Sequence, residues 1–542
     1  MEYESKSLDH LGIVAGVCKE IGLTESVNSI VGVNSQQKVS TGDAVTAMVI
    51  NALGFAGKPL YMYPEYMAQK PVKLLFENGL EPDDFNDDTI GRALDRIYEN
   101  NPTNIFMKVS FEALRKNGVD RNFFHLDTTS ISVQGQYENS EDDEIPIKIT
   151  YGHSKDSNPD LKQYMISLIT VSKSSIPAWI CALSGNTSDK THFREVVDEY
   201  SKMLAGCDEN PYFIMDSAMY TEKNVRDMSP RIKWISRAPE NITMVSDLEI
   251  GTDIKDMEKC YQEGYLLKSF TKTYADVKQK WVVVFSEKNY AKEIKTLDKN
   301  VIKEKAKVEK KLWHFGNEEY TCEEDAFKAM FKIEKKWNYH KLDDCCIIVK
   351  KKTGKRGRPK KNSNVIKHIF QIQATFQEDE EAIENKRKQK GKYIVATNAQ
   401  NLDNETIYRE YKEQQGVERG FRFIKDPRFF AESTFLKKEQ RIVSMVMIMG
   451  ISLLVYALAE RKLRKALKDM NETLPNQLGK PIKNPTMRMV FEKFSNVTLL
   501  IINDDGKLSK KVLNIKEVHR KILALMGPEY EKIYFLDKGC GM

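Results

Sequence analysis

Phe123-Phe-His-Leu-Asp-Thr-Thr-Ser-Ile-Ser-Val, residues 123–133, is rich in aromatic and β-branched side chains and reads as a β-strand. Downstream, Tyr164-Met-Ile-Ser-Leu-Ile-Thr-Val and Ile176-Pro-Ala-Trp-Ile-Cys-Ala-Leu have the same texture, with a hairpin predicted around Ser172 to Ser175. A helix is predicted from about Thr191 to Leu204, then another strand in Tyr212-Phe-Ile-Met-Asp216. Strand, hairpin, helix, strand is the order of an α/β domain built on a mixed sheet.

Outward from this block the texture changes twice. Residues 1–122 read as a mostly helical N-terminal domain, with apolar residues at helical spacing in Gly42-Asp-Ala-Val-Thr-Ala-Met-Val-Ile-Asn-Ala-Leu and a cap at Asn86. The α/β block spans 123–239. Residues 240–395 alternate short β-type runs such as Trp281-Val-Val-Val-Phe and Cys345-Cys-Ile-Ile-Val with charged stretches, and read as a β-rich insertion subdomain. Helix returns from about Asn404 to Leu467 within a segment 396–470 that follows the insertion, and 471–542 forms a C-terminal region with a small hairpin near 497–514 and a last helix.

The bulk numbers exclude little else. A chain of 542 residues holds several domains, and 41% hydrophobic with 30% charged residues is the balance of an ordinary globular protein. The formal net charge of +6 is a mild basic bias, compatible with nucleic acid. Eight scattered cysteines without a CxxC pair read as reduced thiols rather than a zinc site. The start Met1-Glu-Tyr-Glu-Ser-Lys lacks the pattern of a signal peptide. The apolar run Ile442–Leu458 approaches the length of a bilayer span, but Ser444, Gly450 and Ser452 interrupt it and it reads as a buried core helix.

Among 78 acidic residues, position singles out three. Asp127 and Asp216 each end an apolar strand run, and the carboxyl edge of such strands is where α/β sheets bind ligands. Two such strands side by side bring both carboxylates within reach of one cation, although a strand-capping role explains either alone. In Glu410-Tyr-Lys-Glu-Gln-Gln-Gly-Val-Glu-Arg-Gly-Phe-Arg-Phe-Ile-Lys, the residues Tyr411, Gln414, Glu418, Arg422 and Lys425 share one helical face. That face is either a solvated charged surface or a site that handles phosphates near metals. Asp87-Asp88 reads as helix capping, Asp142-Asp-Glu as polar loop, and Asp156 and Asp160 as turn residues. His153 and His192 lack metal-ligand spacing.

Taken in order, these motifs resemble bacterial insertion-sequence transposases of the DDE type, in the insertion-sequence-four-like superfamily with a spaced Tyr, Arg, Glu, Lys signature. Tyr411, Glu418 and Lys425 match it, whereas Gln414 stands where Arg belongs, leaving Arg419 or Arg422 as candidate substitutes. Asp127-Thr-Thr-Ser and Asp216-Ser-Ala-Met-Tyr-Thr-Glu-Lys-Asn are similar to the contexts of the two catalytic aspartates, and the likeness runs from about residue 30 to 460. The resemblance implies an RNase H-like catalytic core carrying a long insertion before Glu418. It implies Asp127, Asp216 and Glu418 as catalytic residues holding two Mg2+ ions, with Mn2+ as a substitute. It further implies double-stranded element ends and target DNA as substrates, a homodimer in the synaptic complex, and a bacterial cytoplasmic, nucleoid-associated setting without a membrane. A non-catalytic DNA-binding descendant and a metal-dependent nuclease without strand transfer remain rival readings.

Lys350-Lys-Lys-Thr-Gly-Lys-Arg-Gly-Arg-Pro-Lys-Lys361 is a dense basic run that reads either as a solvated loop or as an AT-hook-like segment. Glycine keeps such a ribbon slim and proline keeps it extended, so Arg356 and Arg358 suit a narrow A·T-rich minor groove. Replacing both arginines by Ala is expected to weaken DNA binding and flatten its salt dependence, with the larger loss on A·T-rich duplexes. Equal affinity for A·T-rich and G·C-rich duplexes before and after the change would leave a solvated loop.

Overall fold

Side-chain caps set the starts of the N-terminal helices. The Ser40 hydroxyl accepts from Asp43 N while the Asp43 carboxylate accepts from Ser40 N, a reciprocal box that starts the helix Thr41–Leu53. Asn86 accepts from Thr89 N and starts Asp87–Glu99, as its sequence predicts. Gly42 has a packing reason: a Cβ there would lie 2.3 Å from the carbonyl oxygen of Thr24, where two helices meet backbone to backbone. Among the described residues this part also holds a strand, β1 (Glu2–Ser7).

These features belong to a computed structural model that describes residues 2–55, 62–77, 79–135, 137, 146–153, 158–187, 196, 211–352, 367–426, 436 and 438–536. The predicted helix from Thr191 to Leu204, apart from Val196, the carboxylates Asp142, Asp143, Glu144 and Asp156, and His192 lie outside the described residues. So do Arg356 and Arg358 in the basic run. Two compact units emerge, one from Met1–Ile235 with Arg409–Met542, the other from Ser236–Tyr408.

In the first unit, β2 (Phe123–Val133), β3 (Lys162–Val171), β4 (Pro177–Ser184), β5 (Tyr212–Met215) and the start of β6 (Lys233–Ala238) lie in the order β4-β3-β2-β5-β6. β2 pairs antiparallel with β3, β3 antiparallel with β4, and β2 parallel with β5. This is the mixed α/β sheet that the sequence predicts, with β2 and β5 as neighbours. One expectation needs correction. Asp127 does not end its strand, because β3 goes on pairing with β2 as far as Val133. The edge lies in the shorter partner, β5, which stops at Met215.

The second unit adds β7 (Glu258–Lys259), β8 (Tyr265–Tyr274), β9 (Val277–Ser286), β10 (His340–Lys352), β11 (Lys367–Glu378) and β12 (Lys392–Thr397). β9 pairs with β8 and β12, while β10 and β11 form a separate ribbon. Beside these strands runs the 29-residue helix Glu287–Phe315, capped by Ser286. Only Leu297, Val301, Val308 and Phe315 of that helix are buried, a narrow stripe at three- and four-residue multiples on an otherwise charged rod. Phe315 anchors a small core with Ala326, Met330 and Ile372.

Back in the first unit, the run Ile442–Leu458 lies within the helix Glu439–Asp469. Its length and apolarity would suit a membrane, yet 83% of its apolar window is buried against the N-terminal helices and β4. Its polar residues are satisfied there: Ser444 donates to Leu94 O at 2.7 Å, and Ser452 to Ile448 O at 2.8 Å. Arg441 fixes one end by two 2.7 Å bonds to Asp95. The C-terminal region holds a short ladder of β13 (Leu474–Pro475) and β14 (Pro481–Ile482), then β15 (Thr498–Asp504) and β16 (Lys507–Leu513), which form a sheet with β1 in the order β1-β15-β16. The described cysteines are free thiols.

Within the second unit, Lys392 of β12 donates to the carbonyls of Glu249 and Thr252 at 2.8 and 2.6 Å. Glu249 itself is buried, and its Oε1 has no hydrogen-bond partner among the described residues. Burial raises its pKa to about 7. An acid with a raised folded pKa costs no stability while both states are protonated, and the cost grows from about pH 4.5 to pH 7. Glu249→Gln should therefore raise thermal stability at pH 8, by up to about 3 kcal/mol, and leave it unchanged near pH 4. Unfolding scans at the two pH values check this.

Candidate active site

Parallel pairing sets the geometry of the first two carboxylates. Phe123, Phe124 and His125 of β2 stand opposite Tyr212, Phe213 and Ile214 of β5. Continued two residues past its last paired position, the same register would set Asp127 opposite Asp216, which keeps an extended backbone just past Met215 with φ −68° and ψ 156°. Residues at one register position project from the same face, on strands about 5 Å apart. Each carboxylate accepts from the amide that follows it: Asp127 Oδ1 from Thr128 N at 2.7 Å, and Asp216 Oδ1 from Ser217 N at 2.6 Å. Asp127 is half-buried and Asp216 exposed. The pair forms a patch of hard oxygen donors open to solvent on one side, the donor type that magnesium selects.

Glu418 lies on the helix Gln415–Ile424, which packs on β2 and β3. A Cβ at Gly420 would sit 3.1 Å from Leu168 Cδ2, so the helix rests on Leu168. Leu168 is the register partner of Asp127 across the β2–β3 ladder, and so this helix covers the sheet face that carries the aspartates. The Glu418 side chain is exposed, with Arg422 Nη2 at 3.8 Å. Among the described residues no three His, Cys, Asp or Glu side chains gather closely enough to hold a metal ion. Asp127 and Asp216 lie on or just past neighbouring parallel strands, and Glu418 is not drawn into a three-carboxylate group in this conformation.

The single stripe predicted from Tyr411 to Lys425 is interrupted. The chain forms two helices, Asn404–Lys412 and Gln415–Ile424, joined by a tightened turn. Gln414 N bonds Tyr411 O, Gly416 N bonds Glu413 O and Val417 N bonds Gln414 O, all three residues back rather than four. The five residues therefore do not lie on one continuous helix. Of the two candidate substitutes for the missing arginine, Arg422 stands beside Glu418. Arg419 donates instead to Ser175 Oγ at 3.1 Å, in the hairpin between β3 and β4.

Two residues at this site carried no distinguishing signal in the sequence. Glu410 is fully buried, and its carboxylate accepts from Ser172 Oγ at 2.6 Å and Arg409 Nε at 3.3 Å, with Lys173 Nζ at 3.5 Å. It clamps the chain that enters the Glu418 helix to the β3–β4 hairpin. His125 shares the face of Asp127, is buried, and finds no partner for either ring nitrogen among the described residues. Burial lowers its pKa to about 4, so it is neutral at physiological pH.

The family described as Transposase DDE domain matches residues 120–456, more than half of the chain and the whole stretch from Asp127 to Glu418. The chain belongs to this family of DDE transposases. A second family, described as Domain of unknown function (DUF4277), matches residues 3–111. No curated protein matches the sequence. Among solved structures, the chain is similar to one titled as the cryo-EM structure of a piggyBac transposase synaptic complex with hairpin DNA. That similarity has 7% identity and a TM-score of 0.35, and covers 91% of this chain and 83% of the other.

Because Glu410 is buried and its partners are partly exposed, its loss leaves Ser172 and Lys173 without their acceptor. Glu410→Ala is expected to lower folding stability by about 1–3 kcal/mol, with Glu410→Gln costing less because the amide oxygen still accepts from Ser172. Denaturant unfolding of both variants checks this, and equal stability of Glu410→Ala and wild type would remove the clamp.

Proposed function

We propose that this DDE transposase binds the terminal inverted repeats of its own element, cleaves the strands there and joins the freed ends to target DNA. The observation that carries the reading is the shared register of Asp127 and Asp216 at the open end of β5. Glu418, on a helix seated over the same sheet face, is the third carboxylate of the proposed site. Together these three are the residues that would hold two Mg2+ ions, or Mn2+ in their place. When bound, such ions neutralise charge on the attacking and leaving oxygens of a phosphodiester.

The protein's own contribution is positioning. The Thr128 and Ser217 amides orient the two aspartates, and the packing of Gly420 on Leu168 fixes the height of the Glu418 helix above the sheet. Arg422 is the cation best placed to meet a phosphate beside Glu418, in the role the family signature gives to position 414. Tyr411, Gln414, Arg419 and Lys425 are further proposed contacts to DNA, and Arg356 with Arg358 would reach a minor groove. The helical N-terminal domain is proposed to serve DNA binding and assembly of a homodimer that brings two ends together, and the setting to be the bacterial cytoplasm. The superfamily assignment, insertion-sequence-four-like, is proposed on the Tyr411, Glu418 and Lys425 spacing.

Asp127→Asn, Asp216→Asn and Glu418→Gln should each cut metal-dependent end cleavage by more than the 10–100-fold typical of losing an outer-shell partner, roughly, while end binding persists. A variant that cleaves at near wild-type rate removes its residue from the site. Joining of a cleaved end to a second duplex separates a transposase from a nuclease without strand transfer.

A further inference from the structure

A cleft of about 380 Å³ opens in the first unit between the β3–β4 hairpin, the Glu418 helix, the helix Glu439–Asp469 and the helix Met487–Lys493. Its floor is apolar, with Phe423, Leu453 and Tyr456. Five cationic side chains line it, Lys173, Arg419, Arg422, Arg464 and Arg488, against two carboxylates, Asp426 and Glu460. The cations come from four separate stretches of chain, so no single helix pattern in the sequence displays them.

Their pairing is uneven. Arg464 is held by Glu460 at 2.7 Å, Arg488 by Asp426 at 3.5 Å and Glu492 at 3.4 Å, Lys173 lies 3.5 Å from Glu410, and Arg422 lies 3.8 Å from Glu418. Arg419 has no carboxylate partner among the described residues. It is steadied only by the neutral Ser175 hydroxyl, which leaves most of its five N–H donors to the cleft. The hairpin is shaped for this: Lys173 and Ser175 are both non-glycine residues with positive φ, +62° and +54°.

We propose that this cleft seats a backbone phosphate of DNA, with its adjoining sugar, on Arg419 and Lys173, while Arg464 and Arg488 supply a second cationic wall. This inference rests on the transposase reading and adds to it a binding site outside the carboxylate pair. A guanidinium with open donors beside a mobile ammonium matches a phosphodiester, and an apolar floor suits the face of a sugar. The carboxylate-paired arginines give the wall a fixed shape, and Arg419 supplies the uncompensated charge.

The test measures binding of a short duplex to the full chain over a series of salt concentrations, for wild type, Arg419→Ala, Arg419→Lys and Lys173→Ala. Arg419→Ala should weaken binding about tenfold and reduce the slope of log K against log salt by about 0.9, the value for one phosphate contact. Lys173→Ala should reduce the slope in the same way, and Arg419→Lys should keep it. The Arg419 side chain is exposed and pairs with no buried charge among the described residues, so thermal stability of Arg419→Ala should not move, and that separates a DNA contact from a structural role. Slopes and affinities of Arg419→Ala and Lys173→Ala equal to wild type would overturn the cleft; with intact metal-dependent end cleavage by wild type, the catalytic reading would stand. A wild type that neither binds nor cleaves end-bearing duplex would overturn both.

Discussion

The parallel register between β2 and β5 is the constraint on which the site depends. Strand pairing admits only discrete registers, and a slip of one residue would send Asp127 and Asp216 to opposite faces of the sheet. What fixes the register is apolar. Phe124, Phe213 and Ile214 are buried, and Phe123 stacks on Tyr212 with ring centroids 4.9 Å apart. Ordinary hydrophobic burial thus brings two like charges together, an arrangement their mutual repulsion would not favour. The exposure of Asp216, the partial exposure of Asp127 and the amides of Thr128 and Ser217 make it tolerable.

Around this pair the protein uses rigid packing on one side and adjustable contacts on the other. The helix Glu439–Asp469 is buried along most of its apolar run, and Gly420 is wedged between Leu168 and Leu453, so the Glu418 helix cannot settle much closer to the sheet. Toward solvent, Glu418 and Arg422 are loosely paired at 3.8 Å and both largely exposed. A surface pair of that kind is worth little and is easily exchanged for a stronger partner. The Glu410 clamp and the Arg419–Ser175 bond tie the same stretch of chain to one hairpin, so the carboxylate helix and the proposed phosphate cleft share a mounting.

Much of the fold was legible because local chemistry and global packing agree. The cap at Asn86, the β-branched runs of β2, β3 and β4, and the apolar run of the long core helix carry their structure in their own pattern. The continuous stripe from Tyr411 to Lys425 failed as a reading because spacing alone assumes 3.6 residues per turn, and the chain tightens to three at Gln414. Gly416 lies at that bend, where a Cβ would approach Ser175 Oγ to 2.9 Å, a contact invisible from the helix sequence.

By itself the sequence determined which residues are chemically able to act: aspartates closing apolar runs, a glutamate on a cationic helix, and an ordered set of motifs resembling one family. It could not determine which of them meet. Asp127 ends an apolar run but not its strand, and it comes near a strand edge only because β5 stops at Met215. Glu410 looks like any other surface acid until tertiary packing buries it under Ser172, and five cations from four segments become one cleft only when the hairpin and three helices converge. Side-chain chemistry is a property of the chain, whereas strand length relative to a neighbour, burial and the convergence of distant segments arise only when those segments pack.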